Sequence, residues 1–219
     1  MNTVNLSRRK FLKTTGLVGG GLIVGFALPG CSPAKLPVDT IAGSFIPNAF
    51  IQITPDNAIR FYCPRAEMGQ GVTTGLGTLV AEELDVAPQA LEIALAGAHK
   101  DYNNPDLGMQ VTGGSTSVHA HYLPLRQAAA NTRSVLVEAA ARDLGVARDT
   151  ITTDTAHIIS GGQRYPYGQF VATAAKMKMP EKAPLKSDTD FKYIGKSFPR
   201  LDGVAKSTGT ATYAIDVDL

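Results

Sequence analysis

The sequence Thr112-Gly113-Gly114-Ser115-Thr116-Ser117-Val118-His119 places two glycines and three hydroxyl residues directly before a long helix-forming run. Glycine lets the backbone turn tightly and approach a ligand closely, and Ser and Thr are favoured at a helix N-terminus. The first N–H groups of a helix have no intrahelical partner, and with the positive end of the helix dipole they form a site for an anion. No acidic residue in the turn competes for that site. From these residues alone two interpretations stay open: an anion-binding turn, or a well-capped helix after an ordinary loop.

The run at residues 118–144 is rich in Ala, Leu and Arg and predicts one long helix. Its many alanines indicate that the helix packs close to a neighbouring element. Pro124 predicts an early kink or a restart of the helix. For Arg126 two interpretations stay open, a solvated charge or a cation that helps to hold an anion near the helix start.

A second glycine turn, Gly69-Gln70-Gly71, lies between a predicted strand at residues 59–63 and a predicted helix at residues 74–86. The side-chain amide of Gln70 is able to donate one hydrogen bond and to accept another at the same time. Taken alone, this turn is compatible with a ligand contact and also with a side chain that points at water.

The remaining pattern predicts an α+β fold, in which β-hairpins and a mixed sheet are packed by two main helices. Residues 49–53 and 59–63 form a predicted hairpin around a Pro-Asp-Asn turn, and residues 91–95 alternate as a strand does. Shorter elements are predicted as strands at residues 150–153, 156–159 and 163–165, a helix at 167–175, and a strand that begins before the C-terminal Leu219.

Composition sets broad limits on the class of protein. The chain has 219 residues, is 44% hydrophobic and carries a net charge of +2, which is typical of one or two globular domains and gives no reason to propose a nucleic-acid partner. Cys31 and Cys63 form neither a metal-binding pattern nor a disulfide framework, and Cys63 is interpreted as a small buried side chain. His119 and His121 are two positions apart on the predicted helix and do not share a face, which argues against a joint metal site.

Residues 7–13, Ser-Arg-Arg-Lys-Phe-Leu-Lys, closely resemble the twin-arginine export motif. The uncharged apolar run at residues 14–30 is too short and too rich in glycine for a membrane span, and it predicts the hydrophobic part of an export signal. We therefore expect residues 1–31 to direct the protein to the periplasm or the membrane surface. The alternative is a basic amphipathic N-terminus of a cytosolic protein.

The end of this signal, Leu28-Pro29-Gly30-Cys31, resembles a lipobox, in which the cysteine is lipidated and becomes the mature N-terminus. The proline before the glycine departs from that pattern. Lipidation of Cys31 would tether the protein to the membrane. An unmodified cysteine near a signal-peptidase site and an uncleaved anchor remain as alternatives.

Three stretches, in this order and behind such a signal, resemble the start of the molybdopterin-binding subunit of the xanthine dehydrogenase and aldehyde oxidase family. They are residues 67–71 (Glu-Met-Gly-Gln-Gly), residues 112–117, and residues 194–216. The likeness is strongest to the exported branch, which includes isoquinoline 1-oxidoreductase beta subunits and membrane-associated aldehyde dehydrogenases.

This resemblance implies that both glycine turns grip molybdopterin, as its cytosine dinucleotide. It assigns cofactor contacts to Gly69, Gln70 and Gly71, and pyrophosphate or pterin contacts to Gly113, Gly114, Ser115, Thr116 and Ser117. It also implies molybdenum-dependent oxidation of aldehydes or nitrogen heterocycles with water as the oxygen source. Electrons would leave through a small two-iron two-sulfur subunit, which carries the iron–sulfur cluster, and in some members through a cytochrome c.

The resemblance also divides the chain. The predicted parts are the signal at residues 1–31, a linker at 32–45, a partial molybdopterin-binding domain at 46–176, a linker at 177–193, and the truncated start of a hammerhead-like α/β domain at 194–219. Family members are several times longer and carry their glutamate base near the C-terminus, which Glu67, Glu82 and Glu83 do not match. We therefore expect this chain to hold no catalytic residue and to be inactive alone. The alternative hypothesis is a non-enzymatic exported or lipid-anchored module whose glycine turns hold a phosphate-bearing ligand.

Overall fold

The computed structural model of the chain describes residues 41–197 and 199–216. The predicted signal, Cys31, most of the first linker and residues 217–219 lie outside them, so the predictions for those parts stay predictions. The described residues contain two sheets and two main helices. This arrangement confirms the predicted α+β fold class.

The larger sheet has four strands in the order β1-β2-β3-β4. Their bounds are Phe45–Asn48 for β1, Ile51–Ile53 for β2, Ile59–Cys63 for β3 and Leu91–Leu95 for β4. The first three strands are antiparallel neighbours, as the predicted hairpin requires, whereas β4 lies parallel to β3. Parallel neighbours need a crossover connection, and helix α1 at Val72–Leu84 makes it. The loops after β3 and β4 therefore leave the sheet at the same edge.

The second main helix, α2, runs without interruption from Thr116 to Leu144. It continues through Pro124, so the restart that the proline predicts does not occur. Ala129 and Ala139 have no exposed surface, which confirms the close packing expected from the alanines. Helices α1 and α2 share one core with the sheet, and its fully buried members include Ile51, Ile53, Phe61, Leu76, Leu84, Leu125 and Leu136.

A smaller antiparallel sheet follows α2. Its strands are β5 at Thr152–Asp154, β6 at His157–Ser160 and β7 at Gln163–Pro166, each within two residues of the prediction. Gly161 and Gly162 reverse the chain between β6 and β7 with φ values of 55° and 78°, a conformation that favours glycine at both positions. The predicted short helix is a 3₁₀ turn at Tyr167–Phe170 that leads into α3 at Val171–Ala174.

The predicted strand near the C-terminus is wrong for the described residues. The chain there forms the short helix α4 at Gly203–Ser207 and a single 3₁₀ turn at Ala214–Asp216. The N–H groups of Thr210 and Ala211 both bond back to the carbonyl of Ala205. A strand needs a neighbouring strand for its backbone groups, and this segment satisfies its own locally instead.

The segment at residues 183–194, most of which was predicted as linker, is anchored by the buried acids of α1. Glu82 accepts hydrogen bonds from the backbone N–H groups of Lys192, Tyr193 and Ile194 at 3.1, 2.7 and 3.1 Å. Lys186 Nζ adds a fourth contact to Glu82 at 3.1 Å. An ionised carboxylate is tolerated in the interior when such donors surround it. The predicted domain boundaries themselves stay predictions.

The structure contradicts both interpretations of Arg126, as a solvated charge and as an anion ligand. Its side chain is buried, and its guanidinium lies 2.8 Å from the carboxylate of the fully buried Glu83. It also donates to the carbonyl of Lys186 at 2.8 Å. Arg126 is therefore neither a solvated charge nor an anion ligand, because it forms an internal ion pair that joins α2 to α1.

Candidate functional site

The structure brings the two predicted glycine turns together at the carboxyl edge of the parallel strands β3 and β4. The first loop joins β3 to α1 across residues 64–71, and the second joins β4 to α2 across residues 96–115. The N–H of Ala66 donates to Thr112 Oγ1 at 3.0 Å, which ties one loop to the other. In open α/β sheets this edge is where ligands bind.

Backbone N–H groups of the first loop donate hydrogen bonds to the carboxylate of Glu67, which belongs to the same loop. Glu67 Oε1 accepts hydrogen bonds from the N–H groups of Gly69 at 2.8 Å and Gly71 at 3.0 Å. Glu67 Oε2 accepts from the N–H and the hydroxyl of Thr73 at 3.2 and 3.1 Å. Burial opposes ionisation of Glu67, but these donors outweigh it and lower its pKa below the ordinary value of 4.5. The start of α1 is thus already occupied by an anion from the protein.

Two cations from the C-terminal segment reinforce this arrangement. Arg200 Nη2 and Lys206 Nζ lie 3.4 and 3.7 Å from Glu67 Oε1, and Arg200 Nη1 donates to the Gly69 carbonyl at 2.7 Å. Both cations also contact Asp202. The first loop is therefore closed by an ion cluster on the side that faces α4.

The side chain of Gln70 makes the two hydrogen bonds that its amide allows within its own loop. Its Oε1 accepts from the Met68 N–H at 2.6 Å, and its Nε2 donates to the Ala66 carbonyl at 2.8 Å. Gln70 and Gly69 are nevertheless exposed at the surface. The assignment of Gly69, Gln70 and Gly71 as cofactor contacts stays a prediction, and a side-chain contact from Gln70 would need one of these bonds to open.

The second turn differs from the first because no side chain of the described residues caps its helix start. Gly113, Gly114 and Ser115 are exposed, no side chain caps the start of α2, and its first turn holds no acidic residue. Gly114 and Ser115 adopt φ values of 62° and 55°, and this left-handed conformation is sterically unfavourable for Ser115. A Cβ added to Gly113 would meet no atom within 4 Å. The turn thus presents helix N–H groups to a space that the described residues leave open.

The turn is held in this shape by Thr116 and Asn104. The Thr116 N–H and hydroxyl donate to the Gly113 carbonyl at 3.3 and 2.9 Å. Asn104 Nδ2 donates to Thr116 Oγ1 at 2.7 Å. The turn therefore has this conformation before any ligand binds, which reduces the conformational entropy that is lost on binding.

A buried cation lies at the start of the first loop and contacts the second. Arg65 follows β3 directly and is 2% exposed. Its Nη1 donates to the carbonyls of Pro64 and Tyr102 at 2.8 and 3.1 Å, and its Nη2 lies 3.1 Å from His121 Nε2. Its Nε has no hydrogen-bond partner. Among the described residues no carboxylate lies within ion-pair distance of this guanidinium.

His121 is neutral in this arrangement. Burial, together with the charge of Arg65, lowers the pKa of His121 to about 4. Its Nδ1 lies 3.1 Å from the Ser117 carbonyl, which only accepts, so the partners assign the proton to Nδ1 and leave Nε2 to accept from Arg65. His119, by contrast, is exposed and contacts Asp106 at 3.2 Å, which confirms that the two histidines do not share a face.

Sequence reasoning missed Glu67 as a cap and Arg65 as a buried cation. Glu67 lies two residues before Gly69, and a carboxylate that close to a helix start is a capping signal. For Arg65 the sequence carries no signal, because an arginine in a loop is ordinarily exposed. Cys63 is buried, as predicted, and burial raises the pKa of its thiol to about 11.

Two further properties concern only the parts of the chain that the structure describes. Within residues 41–197 and 199–216 no helix has the length and apolar character needed to cross a membrane. The same residues contain no group of three or more His, Cys, Asp or Glu side chains arranged to hold a metal ion.

Comparison with known proteins gives related sequences over almost the whole chain. It is 36% identical to the "Membrane-bound aldehyde dehydrogenase [pyrroloquinoline-quinone]" of Gluconacetobacter polyoxogenes, over 97% of this chain and 28% of that protein. It is 30% identical to the beta subunit of the isoquinoline 1-oxidoreductase of Brevundimonas diminuta, over 99% of this chain and 32% of that protein. A nicotinate dehydrogenase subunit of Pseudomonas putida is 28% identical, over 97% and 17%. The chain thus spans about a third or less of these relatives.

Solved structures are similar over a smaller part of the chain. Quinoline 2-oxidoreductase from Pseudomonas putida 86 matches with 19% identity and a TM-score of 0.42, over 56% of this chain and 15% of that one. The CO dehydrogenase of Oligotropha carboxidovorans matches with 20% identity and a TM-score of 0.43, over 56% and 15%.

The family model described as "Molybdopterin cofactor-binding domain" matches residues 6–218. Together with the sequence relatives, this match confirms the resemblance that residues 67–71, 112–117 and 194–216 indicate. The chain belongs to the molybdopterin cofactor-binding family, within the xanthine dehydrogenase group.

Proposed function

We propose that this chain forms part of the cofactor-binding region of an exported molybdenum hydroxylase, and that its turn at residues 113–117 binds the pyrophosphate of molybdopterin cytosine dinucleotide. The observation that carries the proposal is the open, uncapped start of α2 at the carboxyl edge of β3 and β4, in a chain of the molybdopterin cofactor-binding family.

The residues present fit a pyrophosphate group. Helix N–H groups and the hydroxyls of Ser115 and Ser117 are donors of the kind that phosphate oxygens accept. Gly113 has room for close approach, since even a Cβ there would meet open space. No acid in the first turn of α2 repels a negative group. In this proposal Gly113, Gly114, Ser115, Thr116 and Ser117 bind and orient the pyrophosphate end.

The first loop has a different role in the proposal. Because Glu67 already fills the start of α1, the loop does not take a second anion there. Gly69, Gln70 and Gly71 would instead contact the pterin from the neighbouring wall, through exposed backbone groups. When bound, the cofactor supplies the oxidation of the substrate with water as the oxygen source. The chain's own part is to bind, orient and shield it.

Exposed apolar side chains at the same edge support a covering partner there. They occur in both loops and at the element ends beside them: Met68, Leu95, Leu107, Met109 and Val118. Apolar surface of this kind marks sites of contact with ligands or other protein segments. In this proposal the edge faces the cofactor and a covering protein segment.

The substrate classes are proposed from the relatives, and the partners and location from the family resemblance and the N-terminal sequence. The names of two relatives point to aldehydes and nitrogen heterocycles as substrate classes. A small two-iron two-sulfur subunit, and in some assemblies a cytochrome c, would receive the electrons. Export by the twin-arginine pathway and attachment through Cys31 complete the proposal. The name of the Gluconacetobacter relative gives pyrroloquinoline quinone as a second candidate cofactor.

The decisive experiment replaces Gly113 by valine in the full-length protein. Gly113 lies outside the left-handed region and an added Cβ meets no atom within 4 Å, so the free protein should tolerate the change. The added isopropyl group would block approach of the pyrophosphate to the backbone. Molybdenum by elemental analysis and cytosine nucleotide by chromatography should both fall, by roughly tenfold or more for the loss of one close phosphate contact of about 1.5 kcal/mol.

The matched control is Ala147→Val, an exposed position in extended backbone before another helical turn. It should leave both contents unchanged. Full cofactor content in the Gly113 variant would overturn the assignment of the turn. Quinone without molybdenum in the wild-type protein would replace the proposed cofactor.

A further inference from the structure

Two positive features are linked through His121 near the second glycine turn. One is the start of α2, which has no side-chain cap and no acid in its first turn. The other is the guanidinium of Arg65, which is 2% exposed and has an Nε without a partner. Each would be stabilised by a nearby negative charge. Among the described residues no carboxylate pairs with the Arg65 guanidinium, and the acid beside the first turn of α2, Asp106, contacts the side chain of His119 rather than the helix N–H groups.

The contacts of Arg65 leave its charge unbalanced. Its three hydrogen bonds go to the neutral carbonyls of Pro64 and Tyr102 and to the neutral ring of His121. The thiol of Cys63, two residues away, stays protonated at neutral pH because burial raises its pKa to about 11. Glu67, the acid of the same loop, is engaged by backbone donors of the α1 start and by two cations of the C-terminal segment.

The position of Arg65 connects this charge to the turn. His121 lies in the second turn of α2 and bridges the Arg65 guanidinium to the Ser117 carbonyl, with 3.1 Å on each side. Ala66, the next residue along from Arg65, bonds to Thr112 at the start of the turn. A charge in a buried position is screened by salt and water much less than an exposed one. Arg65 is therefore linked to the turn through His121 and Ser117 on one side and through Ala66 and Thr112 on the other.

We propose that Arg65 is a positioning residue for the cofactor: its buried charge, held against α2 through His121, makes the turn at residues 113–117 selective for an anionic group. This proposal rests on the proposed function and deepens it, since it names the charge that favours pyrophosphate there. It also explains why a guanidinium is retained in the interior without a carboxylate partner. The negative charge of the ligand would balance this buried charge through space, without direct contact.

The test uses calorimetry to measure how inorganic pyrophosphate binds to the cofactor-free, full-length protein. Arg65→Gln removes the charge, and Arg65→Lys keeps it. The control is Arg60→Gln, on the same strand, where the arginine pairs with Glu92 at 3.1 Å away from the turn. We expect at least a tenfold loss of affinity for the Gln variant, no more than a threefold loss for the Lys variant, and no change for the control.

Two outcomes overturn the role of Arg65. One is a Gln variant that binds as tightly as the wild type, and the other is a Lys variant that loses more than threefold. If the Gln variant does not fold, the Lys variant decides by the same threefold limit. A wild-type protein that does not bind pyrophosphate at all would count against the proposed function itself, so the two failures are distinguishable.

Discussion

At the scale of single residues, Glu67 distinguishes two glycine turns that look alike in the sequence. Both follow parallel strands, both contain a pair of glycines, and both precede a helix. Only in the first does an acid cap the helix start: Glu67 takes the N–H groups of Gly69, Gly71 and Thr73, whereas Asp106 beside the second contacts the His119 side chain. The glycines were predictable from their spacing. The sequence did not predict which turn remains open, because that depends on which N–H groups the Glu67 carboxylate binds.

We predict that Glu67→Gln destabilises the first loop while leaving the second intact. The glutamine keeps the shape of the side chain but loses the charge that attracts the helix start and the cations Arg200 and Lys206. The free energy of unfolding should fall by about 1 kcal/mol. Urea denaturation gives this value, and hydrogen exchange at the amides of Gly69 and Gly71 should become faster.

A suitable comparison is Glu92→Gln. Glu92 is exposed and pairs with Arg60, so its loss should change the unfolding free energy by less than about 0.5 kcal/mol. Equal effects of the two substitutions, or unchanged exchange at Gly69 and Gly71, would contradict the capping role of Glu67.

At the scale of elements, local sequence patterns predicted most helices and strands. They failed where contacts with residues far away in the sequence determine the structure. The alternation in β4 and the alanine-rich run of α2 are visible in the sequence because they involve neighbouring residues. The burial of Glu82 and Glu83 is not visible in the sequence, because acids on a helix are ordinarily exposed. Their partners are distant in the sequence: Arg126 on α2, and residues 186–194 some hundred residues later. The predicted C-terminal strand failed for the same reason, since among the described residues no strand is there to pair with it.

We predict that the anchoring of residues 186–194 is sensitive to acid. Burial opposes the ionisation of Glu82, but the N–H groups of Tyr193, Lys192 and Ile194 and the ammonium of Lys186 outweigh it and lower its pKa from 4.5. A carboxylate with a lowered pKa in the folded state contributes stability that is fully present above pH 4.5 and is lost as the pH falls through the folded value. The unfolding free energy should therefore decline between about pH 5 and pH 3.

Glu82→Gln tests this assignment. It should cost about 3 kcal/mol at pH 7 and should flatten the decline below pH 5, because the variant has no proton to take up at this position. Urea denaturation across the pH range measures both effects. Glu181→Gln, an exposed acid shortly before that segment, serves as the control. A decline in the Glu82 variant as steep as that of the wild type would assign the acid sensitivity to other groups.

At the scale of the whole molecule, the candidate site exists because β3 and β4 are parallel. Parallel pairing makes both glycine loops leave the sheet at one edge, and the hydrogen bond between Ala66 and Thr112 holds them together. The sequence predicted both strands and both loops but not their relative direction. It was the family resemblance that joined the two turns into one site before the structure placed them side by side.

The most direct test of the central claim is the position of the cofactor in a crystal structure of the full-length protein. We predict a pyrophosphate whose oxygen atoms lie within about 3.2 Å of backbone N–H groups in the turn at residues 113–117. A pyrophosphate bound elsewhere in the protein, with this turn facing only water, would contradict the account.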